Sequence, residues 1–185
     1  MLAGSADVVV CGNGLGDRSH QVVTAIAPLC KKAVFDADAL RLPLPVSAET
    51  MYTPHAGEFF RMTGIHPPGN LVERGRAVKG ARVSGTILLK GQVDVISDGD
   101  IVRFNRTGSP IMTAGGTGDV LAGVAAALFV RLPAFESACV AAYVNGRAGM
   151  AAEEALGGGM LARELADRIP SELFMKKNEK VEFYG

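Results

Sequence analysis

Asp119 follows the cluster Gly115-Gly116-Thr117-Gly118 and opens the apolar run Val120-Leu121-Ala122, which continues to Leu128 and reads as a buried helix. The three glycines can take positive φ and bare their N–H groups, and the helix behind them makes those groups the positive end of a dipole. Such an end is an anion site suited to phosphate. A carboxylate in the first turn suits the dipole but repels a phosphate, unless it faces another part of the ligand, such as a hydroxyl awaiting deprotonation. A phosphate cradle with a base beside it points to phosphoryl transfer to an alcohol.

Other polar residues fall where strands give way to turns. Asp7 to Cys11 (DVVVC) reads as a strand ending in the glycine loop Gly12-Asn13-Gly14-Leu15-Gly16-Asp17, followed by a helix from a Ser19 cap to Leu29 with Val22, Val23, Ile26 and Leu29 on one face. Alone, that loop is only a βα turn, because it lacks the dinucleotide spacing. Ala33-Val34-Phe35 forms a second strand, and alternation would carry Asp36 and Asp38 to the same side, to order a ligand hydroxyl or to cap a turn. Pro43 and Pro45 enforce an extended link. After Thr50-Met51-Tyr52, Thr53 reads as a cap and Pro54 as the first turn of a helix, putting His55 and Glu58 on one face. His20, His55 and His66 have no metal-ligand spacing.

The remaining elements complete an alternating pattern. Asn70 and Glu73 read as a capping box opening a helix to about Arg82, and Thr86 to Lys90 as a strand ending at Lys90-Gly91, where the lysine suits a phosphate or base-edge contact. Val93 to Ser97 and Ile101 to Phe104 flank Asp98-Gly99, a hairpin signal. Beyond Pro133, Phe135 to Leu156 forms a long helix with a small-residue face of Ala138, Ala141, Ala142, Gly146, Ala148 and Gly149, which predicts close helix packing. A helix over Met160 to Ile169 is stopped by Pro170, and Lys176 to Gly185 reads as a tail or edge strand. The expected fold is a single α/β domain over 1–185, a three-layer α/β/α arrangement with a mainly parallel sheet and its ligand at the strand ends.

Composition narrows the function classes. A chain of 185 residues suits one domain, and a formal charge of +0 with no basic run excludes a nucleic-acid partner. No segment has the apolar length to span a bilayer, so no membrane role is expected. Cys11, Cys30 and Cys139 are too widely spaced for a metal pattern and odd in number, so buried free thiols in a reducing cytoplasm are expected.

Five stretches in order, GNGLG, DADAL, TPHAGE, LLKG and NRTGSPIMTAGGTGDVLAG, resemble the ADP/ATP-dependent NAD(P)H-hydrate dehydratase family, a branch of the ribokinase-like fold, and the resemblance covers nearly the whole chain. It implies dehydration of hydrated NADH or NADPH with ADP or ATP consumed, the ring hydroxyl being phosphorylated and phosphate then eliminated. It implies that Gly14, Gly16, Asp38, His55, Glu58, Asn105 and Asp119 lie on the side of the hydrated dinucleotide, with Asp119 as the catalytic base. Lys90, Gly91, Gln92, Val93 and Asp94, with Gly115, Gly116, Thr117 and Gly118, would hold the nucleotide. Mg2+ would bridge the nucleotide phosphates without a dedicated protein metal site, and a homo-oligomer, by family analogy a tetramer, is implied. Asn13 stands where the family has proline and Asn145 where histidine is common, and Gln92 and Asp94 alter the stretch after Lys-Gly. The family's segment before the first strand, with its G-S-x-x-Y-x-G-A loop, has no counterpart, so a neighbouring chain is expected to supply that wall or the site to be incomplete. A vitamin-precursor kinase of the same fold, and an inactive nucleotide-binding relic or subunit, stay open as alternatives.

Overall fold

The computed structural model describes residues 2–174. The expected tail or edge strand over 176–185 lies outside the described residues. Six short apolar runs form one sheet in the order β1 (Val9–Cys11), β2 (Lys32–Phe35), β3 (Glu49–Tyr52), β4 (Thr86–Leu89), β5 (Asp94–Ser97) and β6 (Val102–Asn105). The first four are mutually parallel, and β5 and β6 add antiparallel. The expected hairpin closes at Asp98, whose Oδ1 accepts the N–H groups of Asp100 and Ile101 at 2.9 and 2.8 Å. Those bonds, Ile101 first, hold its carboxyl below the usual range.

Alternation along the strands fills a layer on each face. Phe35, Tyr52, Ile87, Leu89 and Val95 pack with Val23 of α1 (His20–Ile26), Phe59 and Met62 of α2 (Ala56–Thr63), and Val78 of α3 (Leu71–Lys79). Val34, Met51, Leu88 and Ile96 face the other way, onto Leu121, Ala122, Ala125 and Phe129 of α4 (Thr117–Phe129) and Ala138, Ala141 and Ala142 of α5 (Ala134–Leu156). Each large side chain withdrawn from water contributes roughly 1.5–3 kcal/mol. Fully buried Tyr52 donates its hydroxyl to Pro45 O at 2.8 Å, anchoring the link between β2 and β3, and burial pushes its phenol up to about 12. That link contains a cis Leu42–Pro43 bond.

Several local expectations are corrected. The first helix leaves α-geometry after Ile26 for a 3-10 turn at Ala27–Leu29, and its buried residues are Val23 and Ala27, with Val22 and Leu29 exposed. The tighter turn rotates Ala27 inward in place of Leu29. Ser19 makes no side-chain cap. Asn70 caps α3 through Val72 N and Glu73 N, but among the described residues Glu73 returns no bond to complete the expected box, and the helix ends at Lys79. Pro170 does not stop a helix: α6 (Ala162–Ala166) ends earlier, and Pro170 lies in the first turn of α7 (Ile169–Leu173), where its missing N–H costs nothing.

The small-residue face of α5 is used within the chain. Ala138, Ala141 and Ala142 lie against α4 and the sheet, while Gly146 and Gly149 meet the loop after β6. All three cysteines are free, but only Cys30 is buried, Cys11 and Cys139 being half-buried; desolvation still raises each thiol, Cys139 to about 11, so none is a ready nucleophile. Among the described residues, no helix is long and apolar enough to cross a membrane.

Candidate active site

The polar residues singled out from the sequence gather at the carboxyl ends of β1 to β4, facing the start of α4. Gly116 caps that helix at φ 89 with no side-chain bond; Thr117 N turns back to Ala114 O at 3.4 Å, which leaves the first-turn N–H groups of Gly118 and Asp119 without a side-chain partner at the cap. Gly116 alone of the three glycines takes positive φ; Gly115 lies outside that region and Gly118 is helical. Thr117 turns inward, its hydroxyl donating to Met112 O at 2.6 Å and Ala114 O at 2.9 Å, which ties the preceding loop to the helix. Asp119 is exposed in the first turn.

Asp36 and Asp38 do not share a side, because β2 ends at Phe35 and a 3-10 turn at Ala37–Ala39 separates the two carboxylates. Ala37 takes φ 48. Asp36 is buried and accepts Lys90 Nζ at 2.8 Å and Asn13 Nδ2 at 3.0 Å. Asp38 accepts Gly16 N at 2.8 Å and lies 3.9 Å from Arg41, so it holds the first glycine loop. Asn13 Nδ2 also donates to Asp119 Oδ1. One amide thereby joins the ends of β1, β2 and α4.

His55, not Thr53, caps α2. Its Nδ1 accepts Gly57 N at 3.0 Å and Glu58 N at 3.3 Å, while Glu58 Oε2 accepts His55 N at 2.7 Å. Thr53 is still strand-like, its N–H bonded to Phe35 O at 3.1 Å, so the turn begins two residues later. With Nδ1 accepting, these bonds assign the ring proton to Nε2, which lies 3.2 Å from Glu58 Oε1. Buried Glu58 also lies 3.9 Å from Lys90 Nζ, which makes Lys90 the cation between two carboxylates and the α4 turn.

Beyond Lys90, Asp94 accepts Gly91 N at 3.0 Å and Asn105 Nδ2 at 2.9 Å. Burial, the dominant cause, raises its carboxyl above the usual range. Buried Asn105 spends its amide on Asp94, Thr107 and Ala142 O, so it shapes the loop and does not line the cleft. That cleft, of about 930 Å³, runs from His55, Lys90 and Gly118 past Gly91 to Asp94 and under residues 106–113 to α5. Gln92 and Val93 are on its wall, whereas Gly14, Gly16, Gly115 and Asp119 are not among its lining residues.

Of the lining residues left unassigned in the sequence, Arg106 and Asn145 have polar groups left unspent among the described residues. Arg106 is an exposed cation in the NRTGS loop, a signal available from charge beside the glycine hub. Asn145 is buried, and among the described residues nothing bonds its Oδ1. A polar residue on the small apolar face of α5 was the available sign. The roof needs the glycines beneath it: a Cβ on Gly146 would lie 2.2 Å from Thr107 Oγ1 and 2.5 Å from Thr107 O. Gly146→Ala is expected to destabilise the fold by about 1–3 kcal/mol in urea unfolding, whereas Gly123→Ala, with open space at its Cβ, should not destabilise it.

A parallel sheet extended by an antiparallel pair, helices on both faces and a glycine-opened helix at the strand ends define a ribokinase-like α/β/α protein. A ribokinase-like superfamily protein from Enterococcus faecalis has this fold, with a TM-score of 0.75 over 92% of this chain and 63% of its own at 24% identity. Residues 1–171 match the family described as NAD(P)H-hydrate dehydratase, and the chain belongs to it. It is 58% identical over 179 residues to the bifunctional NAD(P)H-hydrate repair enzyme Nnr of Methanospirillum hungatei, covering 97% of this chain and 37% of that protein. The ADP-dependent (S)-NAD(P)H-hydrate dehydratase of Cenarchaeum symbiosum is 42% identical, with coverages of 92% and 62%. The chain thus spans little over a third of the first of these relatives. The ADP/ATP-dependent NAD(P)H-hydrate dehydratase of Bacillus subtilis, co-crystallised with ATP/Mg2+, gives a TM-score of 0.76 at 29% identity over 93% of this chain and 68% of that one.

Proposed function

We propose that this chain removes water from hydrated NADH or NADPH in an ADP- or ATP-dependent reaction. The observation that carries this reading is the exposed carboxylate of Asp119 in the first turn of α4, next in sequence to Thr117 and Gly118, which line a cleft of about 930 Å³. The turn and Lys90 receive phosphate, residues 90–94 run along the nucleotide, and Arg106 adds a cation. His55, Gly14 and Gly16 face the dinucleotide. Asp38, Glu58 and Asn105 act by holding the loops in place.

Asp119 takes the proton from the ring hydroxyl as that oxygen attacks the terminal phosphorus, and the shortened nucleotide leaves with the bonding pair. The ring C–O bond then breaks, phosphate departing with its electrons under the push of the ring nitrogen, and loss of a proton from the adjacent carbon restores the double bond. Bound Mg2+ would neutralise charge on the phosphoryl group. An ion carried on nucleotide oxygens fits a cradle of N–H groups and one lysine, and among the described residues no three His, Cys, Asp or Glu are grouped to hold a metal. Assembly into a homo-oligomer, a tetramer on the family pattern, belongs to the same proposal.

The test is to mix the protein with hydrated NADH, magnesium and either ADP or ATP. The near-ultraviolet absorbance of the reduced nicotinamide is expected to return. No return with either nucleotide, for either hydrated cofactor, would overturn the reading.

A further inference from the structure

We propose that Asn13 is the positioning residue for Asp119, an inference that rests on the reaction above. Asp119 lies exposed on the first turn of α4, where an unrestrained carboxylate samples several rotamers. Its hydrogen-bond partner among the described residues is Asn13 Nδ2, contributed from 106 positions away. The same nitrogen has two protons, and the second goes to Asp36 Oδ2 at 3.0 Å.

Asp36 supplies the rigid end of this strut. Its side chain is 3% exposed, Lys90 holds its other oxygen at 2.8 Å, and its backbone N–H bonds Cys11 O at 3.0 Å. Asn13 transmits that fixed position to the exposed acid. Gly12 at φ 127 and Gly14 at φ 65 on either side give the loop the path that carries the amide across. Because Asp119 Oδ1 accepts the amide proton, Oδ2 is the oxygen presented to the substrate hydroxyl. General-base catalysis depends on that orientation, whereas affinity for either ligand does not.

Asn13→Leu is close in size and donates nothing. It is expected to lower kcat about tenfold while leaving KM for nucleotide and hydrated dinucleotide within about twofold. In an Asp119→Asn background it should cost nothing further, because the atom it orients is gone. Where Asn13→Leu fails to fold, Asn13→Ala, which also donates nothing, carries the same expectation. A kcat within about twofold of the wild type, or losses that multiply in the double variant, would overturn the role of Asn13. Wild-type protein without turnover would instead overturn the reaction itself, and Asn13's role with it, so the two failures are told apart.

Discussion

Asp119→Asn is expected to lose turnover by about 10²- to 10⁴-fold, the range that a positioned general base supplies, and to bind ADP at least as tightly as the wild type. The two halves of this result come from one geometry. The carboxylate stands at the positive end of α4 without capping it, so the cradle's N–H groups are unchanged by the substitution. Removing its charge takes away a repulsion toward phosphate, which favours nucleotide binding. The neutral amide can still accept from Asn13 through its own oxygen, so the local fold survives, but it cannot take a proton from the ring hydroxyl. Single-turnover absorbance measurements paired with calorimetric ADP titration would check both halves. Activity within about tenfold of the wild type would remove Asp119 from the base role and leave the cradle without an assigned acid.

Gly12→Ala is expected to be the most damaging single methyl in the first glycine loop. A Cβ there would lie 1.7 Å from the carbonyl oxygen of Asp36 and 2.9 Å from Ala39 Cβ, and φ 127 is hostile to any L side chain. The atoms in the way are backbone, so relief requires the ends of β1 and β2 to part, with loss of the Asp38 N to Gly12 O bond at 3.3 Å. A cost of about 3 kcal/mol or more follows from overpacking combined with backbone strain, a fall in Tm of roughly 10 °C for a chain of this length. Gly14→Ala and Gly16→Ala are the controls. Both sites have positive φ but nothing within 4 Å of an added Cβ, so each should cost only about 1 kcal/mol. Equal melting of all three variants would contradict the close approach at Gly12.

Most of the sheet was legible because its strands are short apolar runs punctuated by glycine, proline or acid, and the βα alternation left few topologies. The glycine-opened helix was legible for the same reason that it forms: no other residue type takes φ 89 at Gly116 without strain. What escaped was decided by tertiary contact. Thr53-Pro54 has the composition of a helix start, but Thr53 N is already committed to Phe35 O, which moves the cap to His55. DADAL reads as strand alternation until Ala37 takes φ 48 and turns the chain after Asp36, so that Asp36 stays buried against Lys90 and Asp38 goes to Gly16. Asn13 was visible only as a departure from the family's proline, since no local pattern announces a bond across 106 residues. The small face of α5 signalled close packing, but periodicity could not say that part of the partner would be the loop over residues 106–113.

The order of the layers along the chain has a consequence for synthesis. Val34, Met51, Leu88 and Ile96 are in place on the sheet once β5 exists, yet the helices that cover them, α4 and α5, extend from Thr117 to Leu156. A chain emerging from its N-terminus therefore carries one sheet face bare to water through the making of the next sixty or so residues, a stretch in which apolar surface invites misassociation. Leu121 and Ala142, both on the cleft wall, arrive with those same helices. Completion of the core and completion of the pocket are one event, so the cleft is not whole before the second hydrophobic face has been hidden.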